Sequence, residues 1–531
     1  MRRILIFLLT TLAVSVLTGC NSKVKSTQPE GLSIPIPVGT KALPLSVSKA
    51  ERRSLAIRRW MRPVMGRKTS LVELQRTADL VHPIVQSAVN SPEVQPAFLK
   101  LAHTLHLSLD TLKSRWIDWQ TADILLESGG DQNSVSNAGA SGVAQWMPET
   151  ARSVGLHVDT KRSVSLIQHI QSLKNQQTGV STTSKPILST EQYNADLAQL
   201  YSKLMSADNR FDPKLAISAQ TRYLLKLSSR YPLPQWLFQA YHGGQWGVEH
   251  LLNLYSPLHS HLSSRQIILT GNRGGVLSFE HLYFNTSPRS HPTAFRYLYS
   301  RGDDDRHYWW KILAASDALS LYSQNTVEME KAASDDDVLN IGQYGKGSRW
   351  VIKPGASMPS IWYPQWKQYT LGDTKQLQKA VNQKILLTIS QKDMGCKFAK
   401  QQELNATSFP AARSQTVGLL RVIIGLYKLE GGKSLPVIGE LTLPSVTPWT
   451  VHTVANFHNT GLEAGILWPA NINDKEIMLY VLDLLADRRV LALFTEQHEG
   501  YPHWTVCPAP DYSAALSDLA SHGAVLPVWH R

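Results

Sequence analysis

The chain has 531 residues, 43% of them hydrophobic, and a formal net charge of +13. This excludes a chain too small to bury a sizeable core and implies at least two domains. The basic balance suits an anionic partner, whether nucleic acid, an acidic wall polymer or anionic headgroups, or else a basic surface with no special patch.

The N-terminus reads as an address. Arg2-Arg3 precedes an apolar run from Ile4 to Leu17, too short to span a membrane comfortably and matching a signal peptide. The other reading is an uncleaved anchor. Leu17-Thr18-Gly19-Cys20 resembles a bacterial lipobox. That resemblance implies removal of residues 1–19, lipidation of Cys20 and a Ser-, Pro- and Lys-rich flexible tether over 20–48. Asn21 rather than Asp after the cysteine implies the periplasmic face of the outer membrane. Export argues against nucleic acid as the partner. No other stretch is long and apolar enough to cross a bilayer.

Residues 49–325 read as a helical domain. From Ala50 to Asp118 the pattern is that of a helical collar, with Val72, Leu74, Leu80, Val81 and Ile84 among its apolar positions. Trp116, Ile117, Trp119, Ile124, Leu125 and Leu126 then form an apolar helical run that Gly129-Gly130 stops. This puts Glu127 in the last turn of a largely buried helix. Desolvation there disfavours the charged carboxylate and suits it to general acid work. The loop that follows is rich in small residues, Ser134, Ser136, Gly139, Ala140, Ser141 and Gly142, and lets backbone approach a bulky polymer. Gln145 offers amide groups from the same loop, and Pro148 opens a short helix.

These residues resemble the signature of the family 1 (SLT-type) lytic transglycosylases: Glu127-Ser128, Ser136, Gly139-Ala140, Gly142, Gln145, Met147-Pro148 and Thr150-Ala151. Asp212-Pro213, the helix ISAQTRYLLKL and Gln239-Ala240-Tyr241-His242-Gly243-Gly244 resemble later motifs of that family, in order. The match runs from Trp116 to Leu254. It implies a mainly α, lysozyme-like catalytic domain. Glu127 is the implied catalytic residue, and Ser136, Gly139, Ala140, Gln145, Met147 and Tyr241 the implied substrate-binding ones. The Tyr241 hydroxyl is expected near the catalytic carboxylate or the sugar acetamido group. His242 stands where the family has Asn. Between Leu156 and Asp212 the chain is longer than usual, and SLKNQQTGVSTTSKPILST reads as a loop, either lining the groove or, the favoured reading, a neutral insertion.

Asp303, Asp304 and Asp305 beside Arg301 and Arg306 lack the glycine turn and terminal Glu of a calcium loop. Salt bridging at a helix N-terminus is the better reading. Residues 326–380 read as a linker that packs partly on its neighbours.

Residues 381–531 alternate helical stretches with strand-like runs, a smaller α+β domain. His458-Asn459-Thr460-Gly461 with Ile466, Glu496 and HWTVCPAPDY resembles the M15-like zinc D-Ala-D-Ala peptidases. Of the implied ligands only His458 matches. Gly465 and Thr505 fill two ligand positions, Glu463 fills a neighbouring Ala position, and His452, His498 and His503 are off register. A catalytic zinc needs three protein ligands, so no metal and no cofactor are expected; a site using His503 and Glu463 is the other reading. Cys396 and Cys507, the cysteines left once Cys20 is lipidated, are expected to pair, worth roughly 4–5 kcal/mol in the chain-entropy model.

The resemblance implies cleavage of the MurNAc–GlcNAc β-1,4 bond of peptidoglycan, with Glu127 as acid and then base and the muramyl C6 hydroxyl as nucleophile. A hydrolytic muramidase would need a second carboxylate at about 5 Å or about 6.5–9.5 Å; Asp123 and Asp131 are the nearest in sequence. An inactive wall-binding lipoprotein is the third reading.

Overall fold

The computed structural model describes, with short gaps, residues 39–53, 56, 70–178, 188–257, 261–271, 275–324, 363, 371, 373–400, 410–442 and 460–522. The signal segment, Cys20, most of the tether, most of the linker, His452 and His458 lie outside them. The described chain is mainly helical, followed by a smaller α+β part, with a separate apolar core in each.

The first core is organised by α1 (Leu109–Ser128). The Ser108 hydroxyl caps its start by accepting the Thr111 N–H, a contact worth about 1 kcal/mol. Gly129 ends it in the left-handed region at φ 62°, where a Cβ would lie 2.7 Å from Cγ of Glu73. Trp116, Ala122, Ile124 and Leu125 are buried on this helix. The residues at 116, 120, 123 and 127 recur at helical spacing and so share one face. That face meets α2 (Pro213–Ser228), α3 (Pro234–Gly243) and α4 (Gly302–Gln324).

In the collar the expected apolar stripe holds at Leu74 and Val81, whereas Val72 and Leu80 are exposed. A π-helical turn at Thr77–Val81 shifts the helix register between them. The stretch read as a loop after Leu156 is partly helical: one helix runs Thr160–Gln177 and its partner Thr190–Ala207. They close a small core of Leu166, Ile170, Leu204, Ala207 and Phe211.

In the C-terminal part, strands β1 (Lys397–Phe398), β2 (Val437–Gly439), β3 (Ala464–Leu467), β4 (Leu491–His498) and β5 (Tyr501–Pro508) form a sheet in the order β1-β2-β3-β5-β4. The β1–β2 pair is parallel and the others are antiparallel. Ile466, Trp504 and Val506 share a core with Leu420, Ile423, Met478 and Leu482 of the helices Ser414–Leu429 and Ile472–Asp487. Within the segment read as a linker, a helix begins at Thr374 and buries Leu377 and Ala380. Tyr363 is buried, its hydroxyl donating to the Pro508 carbonyl. The end of the expected flexible tether is held: the Gly39 and Lys41 N–H groups donate to Pro510 and Asp511 carbonyls.

The expected Cys396–Cys507 bridge is not formed; both are buried free thiols. Cys396 enters β1 and Cys507 lies in β5, three strand spacings apart, about 14 Å. A disulfide needs Cα atoms within about 7 Å. The expected pairing rests on cysteine count and compartment alone; the sheet order separates the two.

Candidate active site

Glu127 is the penultimate residue of α1, its side chain 15% exposed. Its Oε1 is the meeting point of two side chains brought from elsewhere. His242 Nδ1, at the end of α3, is 2.9 Å away, and the Tyr308 hydroxyl of α4 donates to it at 2.6 Å. The His242 and Tyr308 rings are stacked, centroids 3.8 Å apart and planes 9° from parallel. The other imidazole nitrogen, Nε2, faces Asp305 Oδ1 at 3.3 Å, and Arg301 pairs with the second oxygen of Asp305. Burial alone would lower the His242 pKa, but hydrogen bonds to Asp305 and Glu127 outweigh it and raise it from 6.5 to about 10. The imidazole is therefore a cation at neutral pH, donating from both nitrogens. Burial opposes ionisation of Asp305, yet His242 and Arg301 hold its carboxyl below the usual range.

Asp123, one helical turn before Glu127, is fully buried. The Tyr308 hydroxyl also lies 2.7 Å from its Oδ1, and Gln220 Nε2 of α2 donates to its Oδ2 at 2.8 Å. Burial first, and then repulsion from Glu127, raise the Asp123 pKa well above the usual carboxylate range. Burial and the same two carboxyls push the Tyr308 phenol up as well.

The small-residue loop stands beside this helix end, tied down from three sides. Ser128 Oγ donates to the Val143 carbonyl at 2.8 Å and Tyr241 to the Ala144 carbonyl at 2.7 Å. Arg210, buried and paired with buried Asp208 at 2.7 Å, donates through Nη1 to the carbonyls of Gly139 and Trp146. Gly142 sits at φ 75°, with the Arg210 carbonyl 1.8 Å from where a Cβ would be. No other residue fits there.

Several roles expected from sequence move. The Tyr241 hydroxyl reaches the loop and not Glu127; the tyrosine on the carboxylate is Tyr308. The Ser136 hydroxyl accepts the Ala140 N–H, and the Gln145 amide donates to the Ser134 and Gly142 carbonyls, so these groups shape the loop. Ala140 is half-buried and Met147 is 43% exposed at the start of the next helix. Asp131 turns away into its own loop, accepting the Asn133 N–H. Asp305, read as a salt-bridging acid, does pair with Arg301, but it also holds His242. Tyr308 was missed, since nothing in its local sequence marks it. For Asp123 a signal existed in the spacing of 116, 120, 123 and 127.

In the C-terminal sheet, Gly465 and Thr505 are direct partners across β3 and β5. The register brings together the two positions where the peptidase resemblance implies ligands, and glycine has no donor to offer there. His503 lies opposite Leu467, four residues along β3 from Glu463. That is about 13 Å of strand between their backbones. Among the described residues no cluster of metal-ligating side chains occurs.

Comparison with family models, curated proteins and solved structures finds no match for this chain.

Proposed function

We propose that this chain is a lytic transglycosylase of peptidoglycan, with a lysozyme-like helical domain, exported and lipid-anchored through Cys20 at the periplasmic face of the outer membrane. The observation that carries the reaction is the unequal burial of the two carboxyls joined by Tyr308. Glu127 reaches the surface, and Asp123 does not.

A retaining hydrolase needs a nucleophilic carboxylate about 5 Å from the acid and in contact with the sugar. Asp123 has the proximity and lacks the access. With Asp123 buried and both Asp305 oxygens held by His242 and Arg301, the nucleophile comes from the substrate. Glu127 protonates the glycosidic oxygen, then takes the proton of the muramyl C6 hydroxyl as that oxygen attacks C1, leaving a 1,6-anhydro end. The His242 cation stabilises the Glu127 carboxylate between the two steps. No cofactor enters. The loop held by Arg210, Ser128 and Tyr241 presents backbone to the glycan. The C-terminal domain serves as a degenerate peptidase-like module for binding the wall.

One observation favours a second reading. Glu127 and Asp305 sit on opposite sides of the His242 ring, roughly 8 Å apart from two hydrogen bonds and a ring width. Inverting hydrolases separate their carboxyls by about 6.5–9.5 Å. Both Asp305 oxygens are occupied by His242 and Arg301, which supports the transglycosylase instead. Digesting purified sacculi with the chain lacking residues 1–20 tests this. Anhydro-muropeptides from the wild type and none from Glu127→Gln are expected. Reducing-end products would establish the muramidase; no product from the wild type would leave a wall-binding lipoprotein.

A further inference from the structure

Tyr308 has one phenolic proton and two carboxyl oxygens within 2.7 Å, one from Asp123 and one from Glu127. One contact uses the tyrosine proton. The other joins two oxygens at hydrogen-bond distance and needs a proton from a carboxyl. The structure says which. The Trp116 indole N–H can only donate, and it donates to Gln120 Oε1 at 3.1 Å. The Gln120 amide must then present its NH2 to Gln220 Oε1, at 3.0 Å. Gln220 in turn presents its NH2 to Asp123 Oδ2. Every orientation is determined in one direction, from Trp116 towards Asp123. Asp123 Oδ2 is an acceptor, so a proton on Asp123 sits on Oδ1, facing Tyr308. On the far side His242 donates into the same Glu127 oxygen that Tyr308 reaches.

We infer that Asp123 is a protonated second carboxyl that supplies Glu127 with its catalytic proton through the Tyr308 hydroxyl. The step balances without any outside reactant. Tyr308 gives its proton to Glu127 Oε1 as it takes the one on Asp123 Oδ1, leaving Asp123 ionised, Tyr308 neutral and Glu127 a carboxylic acid. Glu127 spends that proton on the glycosidic oxygen and recovers one from the C6 hydroxyl. Reversal of the relay then restores Asp123. Asp123 and Tyr308 are positioning residues in this scheme, because only Glu127 meets the sugar. The groups facing the relay are Gln220 from α2, Tyr241 and His242 from α3, Asp305 in the first turn of α4, and Arg301 just before it. His242 donates into the same Glu127 oxygen and so holds it in line with the Tyr308 hydroxyl.

The inference rests on the enzyme reading above, and two measurements separate the two. Infrared difference spectra of the wild type minus Asp123→Asn at pH 7 should contain a carboxylic acid C=O band, displaced in Tyr308→Phe. Asn is the right control, because its amide reproduces the donor to Tyr308 and the acceptor to Gln220. The second is the pH profile on soluble glycan strands. Tyr308→Phe should lose about tenfold in kcat at pH 8, the effect of a one-unit displacement of the acid limb, with KM unchanged. The loss should shrink as the pH falls, because solvent then supplies the proton that the relay carries. Absence of the acid band, a band unmoved in Tyr308→Phe, or a loss equal at every pH overturns the relay. A wild type that cleaves nothing overturns the enzyme reading and the relay's purpose with it.

Discussion

His242 lies flat on Tyr308, 3.8 Å between centroids, and both side chains reach the same oxygen of Glu127. The stacking fixes the two donors relative to one another, so the carboxylate is oriented before any ligand arrives. Preorganisation of this kind is what a single-carboxylate mechanism requires.

Glu127→Gln keeps an acceptor oxygen for Tyr308 and removes the acid. Cleavage of sacculi should fall by at least about 100-fold, the lower range for a general acid, while pelleting with sacculi stays unchanged. Activity within tenfold of the wild type would exclude Glu127 as the acid.

His242→Gln should remove a pH dependence of stability. The imidazole is protonated more readily in the folded chain, at about 10 against 6.5. Its contribution is therefore complete below pH 6.5 and is lost as the pH rises towards 10. Calorimetric midpoints of the wild type should decline across that window more steeply than those of His242→Gln. Parallel curves would count against the charged pair.

Asp123→Asn should stabilise the protein while disabling it. A carboxyl whose folded pKa is raised favours folding below its unfolded value, near 3.9, and loses that advantage as the pH rises. The amide has no such penalty. At pH 7 the gain should be about 0.5–2 kcal/mol, as for other polar active-site residues held against stability, and it should shrink towards pH 4. Chemical denaturation at both pH values checks it; a less stable variant at pH 7 refutes it.

Gly142→Ala forces a Cβ against the Arg210 carbonyl at a positive φ. Overpacking and backbone strain together should cost about 2–4 kcal/mol, with loss of activity on glycan. Arg210→Ala strands buried Asp208 and should cost about 3–5 kcal/mol. Urea melts of both variants measure this. Unchanged midpoints would mean the loop is held otherwise.

Thiol titration of the chain lacking residues 1–20 should find both Cys396 and Cys507 reactive after unfolding and shielded before. Burial raises Cys396 to about 11 and Cys507 well above the ordinary thiol range, so neither is a ready thiolate when folded. Failure of both to react after unfolding without reductant would show the bridge that the sheet order excludes.

The local sequence alone determined that Glu127 would end a buried helix, because apolar spacing and a glycine stop are properties of neighbouring residues. It also contained the small-residue loop and the stripe at 116, 120, 123 and 127, since both depend on short-range geometry. What it could not contain is the company Glu127 keeps. His242 is 115 residues away and Tyr308 is 181. Their arrival depends on how α3 and α4 pack against α1, a matter of side-chain volumes and crossing geometry across the whole core. The same holds for Tyr241, whose hydroxyl is turned to the loop by packing against Trp146 and Tyr223. Cys396 and Cys507 repeat the lesson in the second core, where strand order, a long-range property, keeps apart two thiols that composition had paired. Tertiary packing decided which proton neighbours the carboxylate has, because only packing brings distant polar groups into one dry place.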